Sequence, residues 1–269
     1  MKIKRSRTSK RNAVKVPPSL LFLVFTILGA LVVVQMLSLR AQSQSTASKK
    51  NPSFPVVDYN ALSPTDPQGL SRRHTKNSYY DRQTRLVERS STADETLIET
   101  EWAGVLPALP VYGSDAVVLG EIKDAQAYLS NDKSGVYSEF TLQVEQVFKD
   151  DRNAPLSSGS LISITRLGGS VKYSPARVQL YHVAGQNMPQ QGKRYVFFLQ
   201  KGPELGDYLI LTAYEIRSGR VYPIDGSSAK PPQPWAGDAY ENTDEGAFLN
   251  KLKQTITESP ARPWFLPVF

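Results

Sequence analysis

"YSEFTLQVEQVFKDD", Tyr137 to Asp151, carries a strand pattern from which the fold can be predicted. Polar and apolar side chains alternate for seven residues, and the apolar parity is made by Phe140, Leu142 and Val144. This period of two predicts a β-strand with one face in a core and the other in water. At Gln146-Val147 the phase slips by one residue. Such a slip is typical of a bulge, which bends a long strand and lets it turn the corner of a barrel.

Short strand-like runs surround this stretch, each closed by turn residues. They read "DAVVLGEI", "AQAYLS", "LISITRL", "SVKY", "RVQLYHV", "RYVFFL", "DYLILTAY" and "RVYPI". We expect mostly sequential hairpins, one of them joining "LISITRL" to "SVKY" across Gly168-Gly169. "RYVFFL" is apolar on both parities, so it should be covered on both sides. The pattern predicts a mainly β fold, a small closed or partly open OB-like barrel.

A single amphipathic helix is expected after the strands, from about Thr243 to Glu258. Its apolar residues recur at helical spacing, and Asn242 with Glu245 forms a plausible capping pair. We expect this helix to close one mouth of the barrel. The folded domain is accordingly placed at residues 114–258. The residues that define the apolar face of the helix are Phe248, Leu249, Leu252 and Ile256.

The strand pattern resembles the OB-like barrel of the netrin/TIMP-like module family over residues 114–258. The residues that carry the resemblance are Tyr137, Phe140, Val144, Val147 and Lys149 on the bent strand, then Gly192 and Tyr195–Leu199 on the later core strand. The resemblance implies the architecture and a role in binding proteins. It does not imply inhibition of metalloproteases, because inhibitors of that type chelate the metal with an N-terminal cysteine and this chain has no cysteine.

The positive charge is confined to the N-terminal region. The net charge is +7, but eight of the 32 basic residues and none of the 25 acidic ones fall in residues 1–40. The rest of the chain carries 24 basic and 25 acidic residues, a net charge of −1. Nucleic-acid binding would need the basic excess on the folded part, so it is not expected.

An uncharged apolar run, Leu20 to Leu39, predicts a transmembrane helix after a basic cytoplasmic segment at residues 1–19. A cleaved signal peptide is the alternative, although Leu39-Arg40-Ala41 is a poor cleavage site. Seven basic residues precede the run and one follows it, which favours a cytoplasmic N-terminus and an exported C-terminal domain. The lack of cysteines and of Asn-x-Ser/Thr acceptors favours a bacterial inner membrane, with the domain in the periplasm of a Gram-negative cell.

Residues 40–113 are predicted to be a tether and linker. Residues 41–71 are rich in Ser, Gln, Pro and Lys, which is typical of a flexible segment. "SRRHTKNSYYDRQTRLVER" follows with six basic residues and two acidic ones. We interpret it as short solvated helices or loops, and docking on anionic lipid is the alternative.

The sequence predicts no catalytic, metal-binding or cofactor-binding residues. The two histidines, His74 and His182, stand far apart. Glu139 and Glu145 share a strand face, but six residues of strand separate them by about 20 Å. The favoured function is therefore a membrane-anchored extracytoplasmic module that binds a protein or envelope partner. The alternative is an extracytoplasmic hydrolase whose carboxylate and hydroxyl site is assembled only by the fold.

The C-terminal tail, residues 259–269, combines prolines with aromatic residues. We favour a tail that packs back on its own barrel. The alternative is a docking segment, in which Trp264, Phe265 and Phe269 are candidate partner-docking residues. The oligomeric state does not follow from any of these patterns.

The predicted topology can be tested with a reporter that works only after export. Fused behind Phe269, it should be active, because the charge asymmetry directs everything after Arg40 across the membrane. N-terminal sequencing of the protein recovered from membranes checks the anchor. A chain that begins at Gln42 would show that the apolar run had been cleaved.

Overall fold

A computed structural model describes residues 54–60, 67–81, 87–91, 95–100, 106–150, 155–174, 177–226 and 236–259. The chain from Pro52 onward forms one compact unit. Its elements in chain order are β1 (Val56–Asp58), α1 (Pro67–Tyr79), β2 (Val87–Ser91), β3 (Glu95–Thr100), β4 (Ala116–Leu129), β5 (Val136–Lys149), β6 (Leu161–Leu167), β7 (Gly169–Ser174), β8 (Arg177–Val183), β9 (Arg194–Lys201), β10 (Asp207–Arg217), β11 (Arg220–Pro223), a 3-10 turn (Ala236–Tyr240), β12 (Thr243–Asp244) and α2 (Glu245–Glu258).

Five strands of a seven-stranded sheet close into a ring. Strand β4 pairs with β5, β5 with β6, β6 with β10, β10 with β9 and β9 again with β4. The β6–β10 pair is parallel and the other four are antiparallel. Strands β11 and β12 extend the sheet beside β10, and a second sheet has the order β1-β7-β8-β3-β2. A mainly β fold with a partly ringed sheet and a C-terminal helix is thereby confirmed.

Strands β4 and β5 are long and bent, as the phase slip predicts. The β4–β5 register skips Phe148 and Glu145, which lie on either side of Gln146-Val147. The bend brings the two backbones together at Gly120, where an added Cβ atom would lie 2.3 Å from the carbonyl oxygen of Gln143. "DAVVLGEI" and "AQAYLS" are therefore parts of the single strand β4, not two strands.

The ring strands carry apolar side chains on two faces. Residues from all five ring strands meet in one buried cluster, which is the ring interior, and β9 contributes Tyr195, Phe197 and Leu199 to it. The opposite parity of β9 packs with helix α2 through Val196 and Phe198. The expectation that "RYVFFL" is covered on both sides is confirmed.

Helix α2 lies on the outer wall of the ring rather than at its mouth. Its buried residues, Phe248 and Leu252, belong to the outer cluster because the strands β4, β9 and β10 present a second apolar face there. The predicted cap also needs correction. The side chain of Asp244, not Asn242, accepts a hydrogen bond from the Ala247 amide at 3.0 Å, while Asn242 has a φ of 59°.

Gly168-Gly169 does not form the expected hairpin. Strand β6 belongs to the ring and β7 to the second sheet, so the dipeptide passes the chain from one sheet to the other. The two glycines have φ angles of 108° and 151°. An added Cβ atom would lie 2.7 Å from Met188 Cε at the first glycine and 2.9 Å from Val136 Cγ1 at the second. Close packing in a left-handed backbone explains the glycines here.

A buried ion pair crosses from β6 to the segment after β11. Arg166 donates to both carboxylate oxygens of Asp225, at 2.7 and 2.8 Å, and the two side chains are 1% and 0% exposed. Thr212 on β10 donates to the same carboxylate at 2.8 Å. Arg166 also donates to the carbonyl oxygen of Leu211, the residue at which the β9–β10 register slips. The pair therefore joins β6, β10 and the chain beyond β11.

The folded part begins well before Ser114, which corrects the predicted tether. Strand β1 pairs in parallel with β7, and α1 packs on the ring through the buried Tyr80. Val111 is buried in the outer cluster. The polar composition of this stretch is misleading because short apolar segments within it, such as Val57 and Val111, pack on the folded domain.

Several predicted regions lie outside the described residues. They are the basic segment 1–19, the apolar run 20–39 and the tail residues Trp264, Phe265 and Phe269. Within the described ranges, no helix has the length and apolar character that a bilayer crossing requires.

The close approach at Gly120 predicts a large effect of a single methyl group. Gly120→Ala should lower the free energy of unfolding of residues 52–269 by about 1–3 kcal/mol, because the new Cβ atom overlaps strand β5. Gly113→Ala is the matched control, since its Cβ atom would have no neighbour nearer than 3.9 Å. Urea denaturation compares the two. Equal stability of the two variants would contradict the packing described here.

Candidate functional site

The histidines do not form a site. The Nε2 atom of His182 lies 2.8 Å from the Gln186 carbonyl oxygen, and its ring packs edge-on against Phe54 at 5.6 Å. His74 lies on α1, and its carbonyl oxygen accepts a hydrogen bond from Asn131. Among the described residues, no three His, Asp or Glu side chains are grouped so that they could hold a metal ion.

The largest polar cluster lies between α1 and the outer face of β5, β6 and β10. Helix α1 contributes side chains at positions i, i+3, i+4 and i+7, which one helix face brings together. Strands β5, β6 and β10 contribute the residues that alternate with the core residues and so face outward. The helix residues are Arg73, Lys76, Asn77 and Tyr80, and the strand residues are Tyr137, Glu139, Ser163, Thr165 and Asp207.

Lys76 lies at the centre of this cluster and its side chain is only 8% exposed. Its Nζ atom lies 2.7 Å from Glu139 Oε2 and 2.5 Å from Asp207 Oδ2. It also donates to Ser163 Oγ at 3.1 Å. Two carboxylates from different strands therefore converge on one cation.

Arg73 binds the same carboxylate one helical turn away. Its Nη1 atom donates to Glu139 Oε2 and to Tyr137 Oη, both at 3.0 Å, and its guanidinium lies 3.6 Å from the centre of the Tyr128 ring. Burial opposes the charge of Arg73, but Tyr137 and Glu139 outweigh it and raise the pKa of Arg73 above its usual value. Burial likewise opposes the charge of Glu139. Lys76 and Arg73 outweigh that effect and hold its pKa below the usual 4.5.

Two stacked tyrosines seal the cluster. The rings of Tyr80, immediately after α1, and Tyr137 on β5 lie 4.1 Å apart and nearly parallel. Tyr80 donates to Thr165 Oγ1 at 2.8 Å, and Tyr137 donates to Asn77 Oδ1 at 2.7 Å. Burial raises the pKa of both tyrosines, so the hydroxyls stay protonated and act as donors.

The turn between β4 and β5 holds the C-terminal end of α1. Asn131 donates to the His74 carbonyl oxygen at 2.9 Å, and the Asp132 amide donates to Asp81 Oδ1 at 3.1 Å. The turn is itself ordered by the Asp132 carboxylate, which accepts from the amide and hydroxyl of Ser134. The C-terminal half of α1 and the residues after it therefore contact both the start of β10 and the β4–β5 turn.

The sequence does not predict this site. It indicates a solvated segment for "SRRHTKNSYYDRQTRLVER", whereas Arg73 and Lys76 bind barrel carboxylates. Glu145, which shares a strand face with Glu139, instead pairs with Arg194 at 2.8 Å. The signal in the sequence is the i, i+3, i+4, i+7 spacing of Arg73, Lys76, Asn77 and Tyr80. Their partners are 60 or more residues away along the chain, so only the fold reveals them.

The cluster contains a lysine and a serine that bear on the hydrolase alternative. Lys76 and Ser163 are in contact, and a serine activated by a lysine needs that lysine to accept the hydroxyl proton. Here the Nζ atom of Lys76 donates to Ser163 Oγ at 3.1 Å and also contacts the carboxylates of Glu139 and Asp207. The contacts of the cluster are mainly those of cations with carboxylates and aromatic rings.

A comparison with protein-family models finds no match, and a comparison with curated proteins finds none either.

The ion pairs of Glu139 predict a loss of stability in acid. The folded-state pKa of Glu139 lies below its ordinary value of 4.5, so its stabilisation is complete above that pH and is lost as the pH falls through the folded-state value. Glu139→Gln should cost roughly 1–3 kcal/mol at pH 7 because it leaves two partly buried cations without their partner. The variant should lose less stability on acidification than the wild type.

Urea midpoints measured between pH 7 and pH 3 check this expectation. Glu145→Gln is the matched control, because the Glu145–Arg194 pair is about one-third exposed and such pairs contribute little. The interpretation is wrong if the Glu139 and Glu145 variants behave alike across the pH range.

Proposed function

We propose that this chain is a membrane-anchored extracytoplasmic module that binds a polypeptide partner through the outer face of β5, β6 and β10. The observation that carries the proposal is that this face already holds a polypeptide element. It binds α1 through two carboxylates, a stacked tyrosine and a cation–π contact. A surface with these groups is suited to hold a chain segment from another molecule.

The similarity of the ring to the OB fold supports the same proposed binding function. We assign β4, β5, β6, β9 and β10 to the five strands of an OB-like barrel, as the resemblance to netrin/TIMP-like modules implies. OB folds bind ligands on the face of their second and third strands, between the first–second and fourth–fifth loops. The corresponding elements here are β5, β6, the turn at residues 130–135 and the loop at residues 202–206. This comparison rests on the fold alone, and the contacts of α1 are the main support for the proposed binding face.

The location follows from the sequence. The apolar run at residues 20–39 is long enough for a bilayer, and the basic cluster before it favours a cytoplasmic N-terminus. The exported part has a net charge of −1, so a nucleic acid is an unsuitable partner. A protein of the cell envelope is the partner that we propose, with the domain held in the periplasm by an inner-membrane anchor.

The binding proposal is tested by affinity capture from detergent-solubilised membranes. Immobilised residues 52–269 should recover a defined protein, and Glu139→Gln/Asp207→Asn should recover much less of it because the carboxylates of the face are gone. Glu145→Gln is the control and should recover as much as the wild type. Capture of no specific protein, or equal capture by all three baits, would refute the proposed function.

A further inference from the structure

We propose that α1 is an internal ligand of this face, and that the site beneath it takes a basic, aromatic polypeptide segment from a partner in its place. The inference rests on the proposed function and deepens it by naming the chemistry of the ligand. It follows from how α1 is attached, from the groups beneath it and from the spacing of the side chains that it presents.

The attachment of α1 is largely electrostatic. Among its described side chains, Lys76 is buried in the contact, and Tyr80 is buried immediately after the helix. Leu70 and Tyr79 are large apolar residues of α1, and they remain 40% and 39% exposed. By contrast α2 buries Phe248 and Leu252 completely. Because α1 has few apolar contacts, groups that satisfy the same charges can replace it at lower cost than they could replace an element held by a core.

The face beneath α1 requires a cation. Glu139 and Asp207 both contact the nitrogen of Lys76, so their carboxylates lie close together and would repel each other without a positive charge between them. Tyr128 and Tyr137 present a ring face and a hydroxyl to the second cation, Arg73. Carboxylates with adjacent aromatic rings are a receptor for lysine and arginine side chains. The departure of α1 therefore favours the entry of another basic segment.

The contacts of α1 define the ligand class. The cations at Arg73 and Lys76 are one helical turn apart, Asn77 hydrogen-bonds to Tyr137, and Tyr80 stacks on it. A competing segment would present two basic residues at i and i+3, a polar residue at i+4 and an aromatic residue at i+7. Such a segment competes with a helix of the same chain, whose covalent attachment gives it a high effective concentration. The wild-type protein therefore binds more weakly than a variant in which α1 is released.

The test uses the full chain in detergent, labelled at introduced cysteines because the sequence contains none. Ser71→Cys lies on the exposed side of α1, and Leu205→Cys replaces a residue that is 97% exposed in the β9–β10 loop. Spin labels on the two cysteines report the distance between α1 and the ring. The probe is a synthetic peptide with the sequence of residues 67–81. The control peptide has the same sequence except for Arg73→Gln and Lys76→Gln.

The probe peptide should lengthen the label distance, and the control peptide should not. Arg73→Gln/Lys76→Gln in the protein should lengthen the distance without peptide and bind the probe roughly tenfold or more tightly than the wild type. Glu139→Gln/Asp207→Asn should bind neither peptide. The wild-type titration needs no destabilised variant, so the test holds even if the double variants fold poorly.

Three results would overturn the inference. One is a label distance that stays the same at every peptide concentration, which would show that α1 is a permanent part of the fold. Another is release of α1 by anionic lipid vesicles but not by the peptide, which assigns its cations to a membrane surface. The third is exchange of α1 between two copies of the chain, seen as a dimer whose label distances lie between molecules. Capture of a partner with an immobile α1 refutes only this inference, and peptide exchange without a captured partner refutes only the proposed function.

Discussion

The ring depends on one strand, β10, that must pair in parallel with β6 and antiparallel with β9. It pairs with β6 only over Asp207 to Leu209, and its register with β9 slips between Ile210 and Thr212. The buried pair of Arg166 and Asp225 lies at this slip. Arg166 belongs to β6, and Asp225 accepts from Thr212 of β10. A fully desolvated charge pair is costly unless its hydrogen bonds are satisfied, and within the described residues only the Arg166 Nε group of this pair lacks a partner. The pair joins β6 and β10, the two ring strands that are parallel to each other and antiparallel to their other ring neighbours.

The closed ring has an apolar interior and an outer wall, and what covers the outer wall determines whether a strand has a polar face. Strand β9 has Tyr195 and Phe197 in the interior and Phe198 under α2, and therefore lacks a polar parity. Strand β5 keeps a polar parity because α1, not a core, covers it. Glu139 is on that parity and finds its partners on a helix that precedes the ring in sequence. Charged side chains are therefore found where a polar helix covers the barrel wall, and apolar side chains where α2 covers it.

The sequence predicts the parts of this fold that are set by local periodicity. The alternation around Phe140 predicts β5, the slip at Gln146-Val147 predicts its bend, and the spacing of Phe248 and Leu252 predicts α2. These signals are local because each reflects side chains that share one strand or helix face. Pairings between distant segments leave no such signal. Gly168-Gly169 has the composition of a hairpin turn, yet close packing against Met188 and Val136 makes it a crossing between sheets.

The candidate site is the least predictable part for the same reason. Lys76 lies in a polar helix and Asp207 begins a strand, so each is ordinary in its own context. The ion pairs form because the ring brings β5, β6 and the start of β10 to one face. An interaction between groups that neighbour each other only in the folded state must be found from the structure. Residue type and spacing could have indicated the cationic face of α1, but not the carboxylates that it meets.

Ring closure also determines which strand edges the domain leaves open to other chains. The ring strands pair on both sides, so the edges of the described sheets fall to β12, β1 and β2, which have two, three and five residues. Short edges offer few unpaired backbone groups as a template for strand addition. Copies of this domain that are crowded together can therefore meet often without joining edge to edge. The longest strands, β4 and β5, have a neighbour on both sides over Val117–Glu121 and Tyr137–Gln143, so neither strand presents its full length as an open edge.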